Sequence, residues 1–218
     1  MDVILRIGTA GRLIDFGIAT TRTERSAVMA QRFRVYRRHG YYRPGLKADR
    51  DEYDRRAVSF LARVDGGDGR GVIVGSARLI VGATRPGFRF PTEKAFRLEL
   101  PSAVRAIPVS KRVEVGRLVA ERPEGIPLSG LLVPLGLIQA ISLYARPRGI
   151  RCGLAGVKRR LLLALRGTGL PFRDLPHAGI TYPRRGALAG YFRHPDPVVP
   201  VYWLAEEMPP AAAGVVLR

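Results

Sequence analysis

Hydrophobic residues along this chain gather in short runs bounded by glycine, proline or clustered charge, and the spacing inside the runs alternates between strand-like and helix-like periods. Residues 1–20 read as an extended segment, with Leu13, Ile14, Phe16 and Ile18 as strand residues. Thr21 and Glu24 have the spacing of a capping box, so a helix is expected from there to about Arg38. Ala27, Val28, Phe33, Val35 and Tyr36 supply its apolar side, and Gly40 is its stop. A polar connection, 41–54, leads to two strand-like runs, 57–64 and 71–81, joined by the Gly/Asp-rich turn at 65–69, which predicts a hairpin.

Further elements come at shorter intervals. A helix over 92–98 and a strand over 113–119 are next; a helix opening at Ser129 or Gly130 then runs toward Arg146, ended by Pro147 and Gly149. Residues 150–154 read as a strand, and 157–166 as an amphipathic helix stopped by Gly167 and Gly169. The tail carries strand-like pieces at 179–182, 189–192 and 198–204. Helices and mostly hairpin-linked strands in this order predict an α/β (α+β) sandwich around a central mixed, largely antiparallel sheet. No repeat or linker divides the chain, so a single domain over 1–218 is expected.

One run breaks the pattern. Val113, Val115, Leu118 and Val119 mark a buried strand, yet Glu114 and Arg117 lie inside it. An ion taken out of water costs several kcal/mol unless it is paired, so an interior carboxylate has a partner or a task. Strict alternation puts Glu114 and Arg117 on opposite faces. Gly116 between them marks a possible bulge, which shifts the facing by one residue and brings both charges into one cleft. A structural ion pair at a strand end is the alternative.

The formal charge of +19 comes almost wholly from arginine: lysine occurs only at 47, 94, 111 and 158, leaving 33 arginines among 37 basic residues. Such a field attracts nucleic acid, an anionic membrane surface or an acidic protein. No zinc-finger spacing, aromatic RNA-binding motif or basic heptad region accompanies it. Cys152 is the only cysteine and has apolar neighbours, so it reads as an inert buried thiol in a reducing cytoplasm. His39, His177 and His194 lack metal-ligand spacing, and no metal is expected. The N-terminus lacks the pattern of a signal peptide, and Pro127, Pro134, Gly136 and Gln139 interrupt the apolar stretch 126–145, so a core helix is expected there rather than a membrane span.

Four blocks carry a family resemblance: Arg32 and Tyr36 with Tyr42 beyond them; Asp51 and Asp54; Gly75, Ser76, Arg78 and Leu79; and Glu114, Gly116, Arg117 and Leu118. Their order and spacing resemble the acyl-homoserine-lactone synthases and the long-chain N-acyl amino acid synthases, members of the GNAT acyltransferase superfamily. The resemblance spans roughly residues 25–185. It implies a GNAT-like three-layer sandwich and transfer of a fatty acyl group from acyl carrier protein to the amine of an amino acid or related small molecule. It places Glu114, Arg117 and Arg78 in the catalytic cluster, and Arg32, Tyr36, Tyr42, Asp51 and Asp54 on the amine-substrate side. Tyr36 stands where the family usually has Phe, and Tyr42 where the lactone synthases have Trp. Gly116-Arg117-Leu118 replaces Ser-Arg-Phe, and Ile80-Val81-Gly82 replaces Leu-Pro-Thr. These departures favour the N-acyl amino acid branch over a lactone synthase using S-adenosylmethionine.

No permanently bound cofactor is implied; the donor is the acyl-phosphopantetheine of a carrier protein, or acyl-CoA. Near the expected helix start only Gly125, Ser129 and Gly130 remain to meet a phosphate, which leans toward the carrier. Glu114 is the candidate base, because an ammonium must lose a proton before it attacks a thioester. Arg78 and Arg117 either hold a substrate carboxylate or fix neighbouring acids. Arg146, Arg148, Arg151, Lys158, Arg159 and Arg160 form the densest cationic cluster of the second half, and an acidic carrier is expected to dock there. Leu131, Leu132, Leu135, Leu161, Leu162 and Leu163 line an acyl tunnel or belong to the core. Peripheral membrane contact is compatible with the charge. A non-catalytic, nucleic-acid-binding protein on the same fold ranks last.

Overall fold

The computed structural model describes residues 1–9, 12–65, 71–122 and 130–209. The chain opens with a hairpin the apolar pattern shows only in part: β1 (Asp2–Thr9) pairs antiparallel with β2 (Arg12–Ile18). Helix α1 (Arg22–Arg38) is next. Its capping box is formed: the Thr21 hydroxyl accepts the Glu24 N–H at 3.1 Å, and Glu24 Oε2 accepts the Thr21 N–H at 3.0 Å. Strands β3 (Val58–Val64) and β4 (Val72–Val81) fall within the expected runs, while residues 66–69 of the expected turn lie outside the described residues.

The expected helix over 92–98 is shorter. Helix α2 (Pro91–Ala95) gives way to β5 (Phe96–Leu98), because Phe96 turns into extended backbone and pairs with Ile180. Helix α3 (Ser102–Arg105) leads to β6 (Arg112–Ala120), and then to α4 (Leu132–Ala145). Ser129 and Gly125 lie outside the described residues. Strand β7 (Cys152–Lys158) runs four residues past its expected end at Leu154, so α5 (Arg159–Arg166) starts two residues late. Then come β8 (Arg173–Asp174), β9 (His177–Ile180), α6 (Ala189–Arg193) and β10 (Val198–Leu204). Residues 189–192, expected extended, are helical: Phe192 N–H donates to Leu188 O at 3.2 Å.

Eight strands form one sheet in the order β1-β2-β3-β4-β6-β7-β10-β8. Every neighbouring pair is antiparallel except β6 and β7. Side-chain alternation separates two cores across it. Phe60, Ala62, Val115, Ala155 and Val201 pack with Leu137 and Ile141 of α4 and Leu162 and Leu165 of α5. Leu61 and Val119 face the opposite way, toward Val28, Val35 and Tyr36 of α1. The result is the expected mixed α/β sandwich, helices over both faces of a largely antiparallel sheet.

Two irregularities in β6 distort the middle of the sheet. The strand pairs with β7 only from Arg112 to Glu114, opposite Cys152 to Leu154. Beyond that point β6 stays with β4 and β7 stays with β10, so the sheet opens as a wedge. In the same stretch Ser76 pairs with Val119 but Arg78 pairs with Gly116, leaving Arg117 and Leu118 opposite Ala77 alone. This is a β-bulge, and Arg117 within it has φ 56°, a left-handed conformation that costs a non-glycine residue about 1–2 kcal/mol.

Candidate active site

The bulge turns Arg117 toward the helix α1 side of the sheet, the side Glu114 already faces, and both border one cavity of about 410 Å³. Around them lies a lattice of opposite charges. Arg78 Nη1 donates to Asp51 Oδ1 at 2.7 Å and Asp54 Oδ1 at 2.9 Å. Arg117 Nη2 meets Asp49 Oδ1 at 2.9 Å and Asp51 Oδ2 at 3.3 Å. Arg32 pairs with Asp49 through Nε, with the Asp49 carbonyl at 2.8 Å and with Asp54 at 3.3 Å. Three guanidinium groups thus face three carboxylates, and the buried charges cancel within the lattice.

Glu114 stands outside this cancellation. It is 4 % exposed, accepts the Thr92 N–H at 2.9 Å through Oε2, and has no ion-pair partner among the described residues. Burial pushes its carboxyl up to about 7, against the opposing pull of the Thr92 donors and of Arg78. Asp54 moves the other way: burial works to raise it, but Arg32, Arg78 and the Asp51 N–H hold it below its ordinary value. Two carboxylates in one site therefore differ in protonation near neutral pH, the arrangement expected of a base beside structural acids. Burial also raises the Tyr36 phenol, whose ring stacks on Tyr191 at 5.8 Å and lies 5.6 Å from the Arg117 guanidinium.

A second cavity, of about 340 Å³, is largely apolar. Val113, Val115, Ile138, Ile141, Ala155, Leu161, Leu165, Phe172 and Trp203 wall it on the α4 and α5 side. The two cavities share Tyr36, Gly116, Arg117, Gly156 and Tyr191. All five cluster where β6 and β7 have parted, so the wedge links a polar chamber on one face of the sheet to an apolar one on the other.

Several expected residues sit elsewhere. Arg32, Tyr42 and Asp54 border neither cavity. They form the layer behind, where Arg32 and Asp54 hold the aspartate loop and Tyr42 packs on Tyr36 and Phe33. Lys158 is buried rather than displayed, because the longer β7 points it inward: Nζ donates to the Tyr191 and Asp196 carbonyls and lies 4.4 Å from the Tyr191 ring centroid. Burial lowers its amine to about 8. The cationic cluster is also divided. Arg146, Arg148 and Arg151 are exposed before β7 begins, whereas Arg159 and Arg160 are exposed after it ends, about 23 Å along a seven-residue strand. Of the leucines, Leu161 borders the apolar cavity, Leu131, Leu132, Leu135 and Leu162 belong to the core, and Leu163 is 60 % exposed.

Residues the sequence did not single out complete the site. Asp49 lies in what reads as a solvated connection, and only its two buried arginine partners reveal it. Thr92 acts through its backbone, and Tyr53, Phe96, Tyr182, Tyr191 and Phe192 bring aromatic rings to the polar chamber from segments far apart in sequence. Among the described residues no group of His, Cys, Asp and Glu is placed to hold a metal ion.

The architecture, a mixed sheet parted between β6 and β7 with helices over both faces, has counterparts of known structure. Among solved structures it resembles the AHL synthase LasI, at 13% identity over 89% of this chain and 90% of that one, TM-score 0.58. It also resembles FeeM, an N-acyl amino acid synthase from uncultured soil microbes, at 14% identity over 89% and 94%, TM-score 0.58. BjaI, a CoA-dependent acyl-homoserine lactone synthase solved with SAM and isopentyl-CoA, matches at 21% identity over 87% and 82%, TM-score 0.53. At such identities the likeness is one of fold. No protein-family model and no curated protein matches the sequence.

Proposed function

We propose that the chain is an N-acyltransferase that moves a fatty acyl group from a thioester to the amine of an amino acid or related small molecule. The observation that carries this reading is the junction at the wedge: an apolar chamber and a charged one meet beside a buried carboxyl whose proton is labile near pH 7. In the proposed reaction the acyl chain lies in the apolar chamber, and the thioester carbonyl sits by Gly116 and Gly156. The ammonium of the acceptor enters the other chamber beside Asp51, whose side chain is 30 % exposed. Glu114 takes a proton from the ammonium directly or through one water. The free amine then attacks the carbonyl, and the C–N bond forms as the C–S bond breaks and the thiol leaves. Backbone N–H groups on β6 beyond Glu114, where β7 no longer pairs with the strand, are the proposed oxyanion donors.

Arg78 and Arg117 enter this scheme as positioning groups, since the aspartates already engage them. Arg159 and Arg160, on the wedge side of β7, are the proposed contact for an acidic carrier protein in the cytoplasm; Arg148 and Arg151, at the other end of β7 and bordering neither cavity, do not share it. FeeM's activity supports the N-acyl amino acid product. The acid and aromatic lining of the acceptor chamber, together with the SAM bound by BjaI, favours a second reading, lactone synthesis from S-adenosylmethionine. Both are tested by one assay: thiol release from acyl-carrier and acyl-CoA donors with amino acids or S-adenosylmethionine, then mass spectrometry of the product. Acyl transfer that depends on Glu114 is expected. The proposal fails if no donor is consumed while the protein binds DNA with a steep salt dependence.

A further inference from the structure

The apolar chamber has a feature that neither the charged lattice nor the fold requires. Gly153 on β7 lies beside Trp203 on β10, and the indole is laid across the place a side chain at 153 would fill. A Cβ there would fall inside the van der Waals envelope of the ring. A glycine within a strand weakens it, and is retained where another group must approach the backbone closely. Here that group is Trp203, which is 9 % exposed, meets Phe172 edge-on at 5.2 Å and 79°, and borders the empty volume. The small residue at 153 therefore lets a large residue from the next strand form the chamber wall.

We infer that the Gly153–Trp203 pair sets the length of acyl chain the chamber accepts, and that the chain is of medium length. This rests on the acyl-transfer reading. Gly156 belongs to the junction where the thioester is placed, and Gly153 lies three residues deeper on the same strand. Three residues of strand span about 10 Å, the reach of about eight carbons in extended form. A chain of that length reaches the indole, which narrows the chamber before the part lined by Ile150, Ala205 and Met208. Shorter chains leave the ring uncovered, and longer ones must displace it.

The chain's composition supplies a direct probe, because Trp203 is its only tryptophan. Fatty acids of six to fourteen carbons, each brominated at its terminal carbon, are titrated into the full-length protein while tryptophan emission is monitored. Quenching is expected to be strongest near eight to ten carbons, where the heavy atom meets the indole. Donor profiles are then compared for wild type, Trp203→Leu and Gly153→Ala. Trp203→Leu should shift the preferred donor to longer chains, with about tenfold changes in kcat/KM per methylene. Gly153→Ala should push the indole into the chamber and shift the preference shorter. Trp203→Phe, a smaller change, covers the case in which either variant fails to fold. Quenching independent of chain length, or an unchanged donor profile in folded variants, overturns the inference while leaving acyl transfer intact. Absence of transfer from every donor and of binding by every fatty acid overturns the parent reading instead.

Discussion

Glu114 is the residue on which the proposed chemistry and a pH-dependent part of the stability both turn. Its carboxyl is raised from 4.5 to about 7 by burial, so between those values the folded chain holds a proton that the unfolded chain has released. Stability therefore falls as pH rises through that window, and stays lower above it. Glu114→Gln removes the titration. At pH 8 the variant should be more stable than wild type, by an amount on the order of 2–3 kcal/mol, and near pH 4 the two should coincide in urea denaturation. The same substitution should lower turnover by about 10²–10⁴-fold and abolish a rise in wild-type kcat/KM centred near pH 7. A gain in stability paired with loss of rate is the signature of a buried catalytic base, whereas a merely structural carboxylate would lose both. Asp49 is the contrasting residue. It is 2 % exposed at the side chain and pairs with Arg32 and Arg117, so Asp49→Asn strands buried cations and should cost about 3–5 kcal/mol in the same measurement.

At the scale of elements, signals contained in a few neighbouring residues are legible and signals that depend on distant partners are not. The capping box at Thr21 and Glu24 is chemistry within four residues, and it starts α1 at Arg22 as expected. Thr21→Ala should cost about 1 kcal/mol in thermal or urea unfolding without changing the site. The charged strand is legible too: two ions and a glycine in an apolar run predict a bulge, and the irregularity is there, with its left-handed residue at Arg117 rather than Gly116. Choices made by distant chain stay hidden. Phe96 leaves helix geometry because β9 lies beside it, and β7 continues to Lys158 because β10 pairs with it over seven positions. That longer strand decides whether Lys158 is a surface cation or a buried strut. Asp49 is hidden for the same reason, since nothing in the composition of 41–54 separates a solvated acid from one held by two buried arginines.

Across the whole molecule, a charge of +19 is a property of the chain, but where it can act depends on the wedge. If the donor is carrier-bound, as proposed, the docking patch belongs beside the opening between β6 and β7, because the pantetheine arm must reach from the carrier to the proposed thioester position. Arg159 and Arg160 lie at that end of β7, while Arg148 and Arg151 lie at the other. Reversing charge at the first pair, Arg159→Glu with Arg160→Glu, should lower kcat/KM for a carrier-bound donor about 10–100-fold and flatten its dependence on salt, since long-range attraction acts on encounter and is screened within about 10 Å at 0.1 M. The matched reversal at Arg148 and Arg151 alters net charge equally and should change kcat/KM less than about threefold. Equal losses from both pairs would mean that the overall field, not a docking patch, recruits the donor. A truncated acyl thioester, which carries no acidic partner, should be used at the same rate by both variants, and this isolates recruitment from chemistry.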